Sequence, residues 1–110
     1  MAKKSGVFIV PEPPEGLLDR SKKLWSDVFK DRKIKLAGRL VLLETGLRAL
    51  DRADEASAII AKEGMMVKTE RSGVLHVHPL LRVEREARQL FSKIMHQLEL
   101  DTERYSPFGS

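Results

Sequence analysis

Residues 36–64 read LAGRLVLLETGLRALDRADEASAIIAKEG, and this stretch decides the fold. Leu36, Leu40, Leu43, Leu47 and Leu50 are spaced 4-3-4-3, which places all five on one stripe of a helix, and Ala53, Ala56 and Ile60 broaden that face. Gly64 closes the pattern as a helix C-cap does. Gly38 and Gly46 stand inside it and work against one unbroken helix. If unbroken, the helix has about 26 residues and a length of roughly 39 Å, whereas a compact domain of this size has a radius of gyration of about 13 Å. Either the domain is elongated or the helix packs on other copies of itself, and the five leucines are the expected oligomerisation seam.

Upstream, Pro11, Pro13 and Pro14 with Gly16 predict an extended, flexible arm over residues 1–14, because proline lacks a backbone donor and disfavours helix before it. Leu17, Leu24 and Val28, with Leu18, Trp25 and Phe29 one position on, predict a first helix over about 15–30. Lys30-Asp31-Arg32-Lys33-Ile34-Lys35 then breaks the apolar pattern and reads as a basic connector. Downstream of Gly64, Met65, Val67 and Thr69 alternate, Arg71-Ser72-Gly73 offers a turn, and Val74 to Val77 favours strand, which predicts a β-hairpin over about 65–77. Two strands are marginal on their own and must lean on helices or on a neighbouring subunit. His78-Pro79 opens a last helix with proline at its first position. Its face is Leu80, Val83, Ala87, Leu90, Ile94 and Leu98, widened by Leu81, Phe91 and Met95. The expected fold is mainly α: an N-terminal helix and two long helices joined by a short β-hairpin, one domain over 15–100, with a flexible tail over 101–110.

The chain has 110 residues, of which 42% are hydrophobic and 33% charged, as in a single globular domain. With no Cys there are no disulfides, thiolate metal sites or thiol nucleophiles, and an intracellular setting is expected. No apolar run exceeds four residues, so neither a transmembrane helix nor a signal peptide is expected. The net charge of +4 is localised: residues 1–36 carry nine Lys and Arg against five Asp and Glu, while the rest of the chain balances. Such asymmetry marks a face or arm for a polyanion, nucleic acid first, although solvated basic loops share it.

Patterns that carry chemistry are missing. His76 and His78 would share a strand face, but a zinc site wants further ligands, and a strand-to-helix junction accounts for His78 without one. Asp51, Asp54 and Glu55, with Arg48 and Arg52, read as an ordinary solvated helix face. Phosphate-cradling glycine loops and nucleophile elbows have no candidates, so no enzyme, metal or cofactor is expected. Trp25 could stack on bases, but its helical phase assigns it to the core. A helix-turn-helix over the first helix, connector and start of the second helix has the right layout, yet residues 36–43 offer few polar side chains for base readout.

The order of these features resembles a known family. Pro13-Pro14-Glu15-Gly16-Leu17, Lys23-Leu24-Trp25, a long helix ending in Ile60-x-x-Glu63-Gly64, Val67-Lys68-Thr69, Gly73, His78-Pro79-Leu80, Ala87 and Leu98-Glu99-Leu100 resemble the phage terminase small subunits over about residues 13–104. Many members read Leu-Gly-Leu followed by a Pro-Ser-Ser-Arg-like tail where this chain has Leu98-Glu99-Leu100-Asp101-Thr102-Glu103-Arg104, so only Arg104 of that tail carries over. The resemblance implies a non-enzymatic subunit, acting in the host cytoplasm, that forms a homo-oligomeric ring, binds double-stranded DNA and hands it to the terminase large subunit. The DNA-binding residues expected are Lys30, Arg32, Lys33 and Lys35 of the connector and Lys3 and Lys4 of the arm. The tail with Arg104, Tyr105 and Phe108 is the expected attachment point for the large subunit. Two other readings are a dimeric helix-turn-helix regulator and a helical adaptor that binds only protein.

Overall fold

The structure is a computed structural model that describes residues 9–31, 34 and 36–100. Three helices, α1 (Asp19–Asp31), α2 (Ala37–Glu63) and α3 (Leu80–Gln97), are accompanied by two strands, β1 (Met66–Lys68) and β2 (Leu75–Val77). The expected architecture is therefore present: two long helices joined by an antiparallel hairpin, with a shorter helix laid on them. The hairpin pairs Met66 with Val77, Val67 with His76 and Lys68 with Leu75. Among the described residues no helix is long and apolar enough to cross a membrane.

α2 is unbroken over 27 residues, about 40 Å at 1.5 Å per residue. The reason lies at Gly46, which is buried where α2 crosses α3: a Cβ there would lie 3.0 Å from the Ile94 side chain. The missing side chain lets the two helices approach closely, and that packing outweighs the intrinsic cost of glycine. Gly38 faces open space and has no such role. Gly64 caps the helix with φ +89°, its amide donating to the Ile60 carbonyl at 2.6 Å.

The leucine stripe is spent inside the chain. Leu43, Leu47 and Leu50 are fully buried against α1 and α3, together with Val28, Phe91, Met95 and Leu98, while Leu40 is half-buried and Leu36 exposed. Of the expected oligomerisation residues, Leu43, Leu47 and Leu50 are thus already covered within one chain, because α1 folds back onto this face. On α3 the buried face is Ala87, Phe91, Ile94 and Met95, continued by Leu98, whereas Leu90 is exposed.

Helix α1 begins at Asp19, four residues later than expected. Glu15 and Gly16 form a turn with Gly16 at φ +88°, and the Leu18 amide donates to the Asp51 carboxylate rather than into a helix. At the other end, Pro79 has helical dihedrals but α3 starts at Leu80, because the His78 imidazole Nδ1 accepts the Leu80 amide and acts as the cap. The C-terminus of α3 closes in a Schellman motif. Glu99 sits at φ +62°, its amide donates to the His96 carbonyl, and the Leu100 amide donates to Met95. Leu98 and Leu100, on either side of it, are both buried.

Candidate nucleic-acid interface

Helix α1 turns Ser21, Trp25, Val28 and Phe29 inward, which leaves Lys22, Lys23, Ser26 and Lys30 on the opposite, exposed face. The spacing of Lys22, Ser26 and Lys30 at four-residue steps lines them up along one ridge. Asp27 sits beside it and takes hydrogen bonds from Lys23 at 3.2 Å and Lys30 at 3.3 Å. Partial burial works against its charge, but the two ammonium groups more than offset this and hold the carboxyl below its ordinary range. The ridge thus carries three cations and one acid that partly satisfies two of them.

The helix bearing this ridge is fixed at several points. Trp25 is buried, its Nε1 donates to the Pro11 carbonyl at 2.8 Å, and its ring lies 5.3 Å from that of Phe29. The indole is therefore committed to the core and pins the preceding arm at Pro11. Asp51, 8% exposed, accepts the Leu18 amide at 2.9 Å and the Ser21 hydroxyl, which also lies 3.2 Å from the Leu47 carbonyl. Arg48 donates to the Glu15 carbonyl at 3.0 Å. Asp54 stands 3.4 Å from both Arg20 and Arg88, so a single carboxylate bridges α1 and α3, and Arg88 also pairs with Glu84. Asp51 and Asp54 are consequently not the solvated face expected of them. They are the polar clamps that orient α1.

Of the residues expected to bind DNA, Lys30 is exposed in the last turn of α1. Lys3, Lys4, Arg32, Lys33 and Lys35 lie outside the described residues, as do Arg104, Tyr105 and Phe108 of the tail. Ile34, the one apolar residue of the connector, is buried in the core. Lys22 and Lys23 were not among the residues expected to bind. The signal that finds them is the polar phase opposite Leu24 and Val28. Arg39, the main polar side chain at the start of α2, donates to the Leu98 carbonyl at 2.9 Å, so the first turn of α2 presents little for base readout.

The histidines separate. His76 is exposed, whereas His78 is buried, with Nε2 2.8 Å from Glu63 Oε1 and Nδ1 taking the Leu80 amide. Both ring nitrogens are satisfied by a neutral imidazole that donates from Nε2. Among the described residues there is no cluster of three or more metal-ligating side chains.

A helical fold with an exposed lysine ridge on a clamped helix and a leucine core closed by α1 suits a binding or scaffolding subunit. Comparison with protein families identifies which: the family of phage terminase small subunits matches residues 22–106, and the chain belongs to it. Comparison with curated proteins and with solved structures gave no match. Membership assigns the chain a role in phage DNA packaging.

Proposed function

We propose that this chain is the DNA-recognition subunit of a phage packaging machine, assembling with copies of itself and delivering double-stranded DNA to a terminase large subunit in the host cytoplasm. The observation that carries the reading is the basic ridge Lys22, Lys23 and Lys30 on a helix of a terminase small subunit, leading directly into the connector cations Arg32, Lys33 and Lys35. Lysine heads on a rigid helix match phosphates rather than base edges, so affinity is mainly electrostatic and sequence preference comes from DNA shape. One copy binds weakly, and several copies touching one duplex multiply those weak attachments into avidity. The subunit itself carries no hydrolysis. Its effect on cleavage and ATP turnover is exerted on the large subunit, through the tail that contains Arg104, Tyr105 and Phe108.

The test is the salt dependence of binding to duplex DNA. Removing one lysine–phosphate or arginine–phosphate pair flattens the slope of log K against log salt by about 0.9. Changing Lys30, Arg32, Lys33 and Lys35 to Ala is expected to flatten it, and Lys22→Ala with Lys23→Ala to flatten it further. An unchanged slope in both sets, with the fold intact, sinks this assignment.

A further inference from the structure

Leu81, Arg85, Arg88 and Ser92 follow one another at steps of four, three and four, and so form one ridge of α3. With Val77 of β2 this ridge lines an open groove of about 740 Å³. Met95, three residues beyond Ser92, continues the same ridge, and its carbonyl accepts the Leu100 amide at 2.9 Å. The Schellman turn therefore brings the chain back to the upper end of the ridge that lines the groove, and the burial of Leu100 fixes the point from which residues 101–110 leave. Within the groove Arg88 is held by Asp54 and Glu84, whereas Arg85 is exposed and has no ion-pair partner among the described residues. The lower end is apolar, with Leu81 half-buried and Val77 exposed.

We propose that the segment from Asp101 to Ser110 docks into this groove of its own chain and is held there as a sequestered tail. Three observations select it as the occupant. First, the reach matches. From Met95 the ridge descends about 10 Å to Arg88, about 15 Å to Arg85 and about 21 Å to Leu81. An extended chain starting at Leu100 advances about 3.3 Å per residue, which brings Glu103 level with Arg88, Tyr105 level with Arg85 and Phe108 past Leu81 to Val77. Second, the charges complement each other. Asp101 and Glu103 outnumber Arg104, and the cation they meet without an ion pair is Arg85, which takes the Glu103 carboxylate and the face of the Tyr105 ring. Third, the apolar ends coincide: Pro107, which has no backbone donor to bury, leads Phe108 onto Leu81 and Val77. Tethering at Leu100 gives this contact an effective concentration in roughly the millimolar range, which favours the chain's own tail over another copy's. The consequence rests on the proposed role of the tail: groove and large subunit compete for Tyr105 and Phe108, so the large subunit must displace the tail before it attaches.

Because the chain has no Cys, cysteine pairs in the full chain report where the tail lies. Leu81→Cys with Ser106→Cys is expected to close an intrachain disulfide on mild oxidation, read by mass spectrometry of the unreduced digest. Glu86→Cys with Ser106→Cys puts the first thiol on the far side of α3 and is expected to close about tenfold more slowly. Equal rates in the two pairs would overturn the proposal, since they mark a tail without a preferred seat. Interchain heterodimers from mixed Leu81→Cys and Ser106→Cys single variants, forming faster than the intrachain link, would overturn it as well, because the occupant is then another copy's tail. Arg85→Glu is expected to slow closure several-fold and the added Glu103→Arg to recover it, with helical circular dichroism unchanged throughout. The oxidised Leu81→Cys, Ser106→Cys protein is then expected to bind the large subunit about tenfold more weakly than the reduced protein. Loss of the selective disulfide removes the docking, whereas a selective disulfide that leaves large-subunit binding unchanged upholds the docking and removes the tail's role in attachment.

Discussion

The two ends of the long helical pair are built on opposite terms. At the α1 end, Leu43, Leu47, Leu50, Trp25 and Val28 are almost without exposed surface, and each buried polar group there has a partner: Ser21 and the Leu18 amide on Asp51, the Trp25 indole on Pro11. At the hairpin end, Met65, Met66, Val74, Leu75 and Val77 are 49–63% exposed, and the strands have three residues each. One end is completed by its own chain, and the other is left with apolar surface that a partner would have to cover. Stability of the isolated chain therefore resides at the α1 end, while the hairpin end contributes little to the core.

The largest expected effect tests this division directly. Leu47→Ala deletes a fully buried side chain between α1 and α3 and should cost about 2–5 kcal/mol, read as a shift in urea midpoint by far-UV circular dichroism and by fluorescence of the single Trp25. Leu75→Ala, on the open hairpin face, should change the stability of the monomer by no more than about 0.5 kcal/mol. Comparable losses from both would mean the hairpin is part of the folding core and would erase the contrast.

Next in size is Asp51→Ala, which leaves the Leu18 amide and Ser21 hydroxyl without their buried acceptor. The expected cost is about 1–3 kcal/mol. Trp25 fluorescence should shift with it, since losing the clamp frees the start of α1. His78→Ala, which removes the cap of Leu80 and the partner of Glu63 at the hairpin base, should cost about 1 kcal/mol and speed amide exchange in β1 and β2 without moving the Trp25 signal.

Which parts were legible in the sequence follows the same division. The long helix was readable to within one residue at either end because its leucine period and Gly64 are local signals, and the hairpin because alternation and Gly73 are local too. Asp51 was not readable. A carboxylate three residues from Asp54 and four from Glu55 looks like a solvated face. It also follows Leu47 by four and so shares the buried phase, a cue that needs α1 in place to be decisive. The leucine stripe was seen correctly as buried surface, but sequence alone cannot say whether the burying partner is another element of the same chain or another copy. Lys22 and Lys23 were hidden for the converse reason: each is ordinary on a helix surface, and only the ridge they share with Lys30 makes them a candidate site.

Asp27 sharpens the reading of that ridge. Its carboxyl is held below the ordinary range by Lys23 and Lys30, so its contribution to stability is complete above the unfolded-state value and is lost as pH falls through the lower folded-state value, below about pH 4. Asp27→Asn should remove that acid-range component of the urea midpoint. The same change releases two ammonium groups and removes a repulsive charge, so DNA affinity at neutral pH should rise several-fold at low salt and the gain should shrink as salt screens it. Unaltered affinity would place DNA away from this ridge.

The smallest effect concerns the end of α3, where the family habit of Leu-Gly-Leu meets Leu98-Glu99-Leu100 in this chain. Glu99 holds φ +62° with its amide bonded to His96 and the following amide to Met95, and both flanking leucines are buried. That left-handed conformation costs a side-chain-bearing residue about 1 kcal/mol that glycine avoids. The two leucines hold it nonetheless, since relaxing the backbone would pull Leu98 or Leu100 from the core that also contains Leu43 and Phe91. Glu99→Gly should therefore stabilise the chain by up to about 1 kcal/mol, with part of the gain lost to the greater freedom of glycine in the unfolded state. Glu99→Ala, which keeps the Cβ, should give little of it. A gain of equal size from alanine would show that the carboxylate charge near the helix C-terminus, and not the backbone conformation, was the source of the cost.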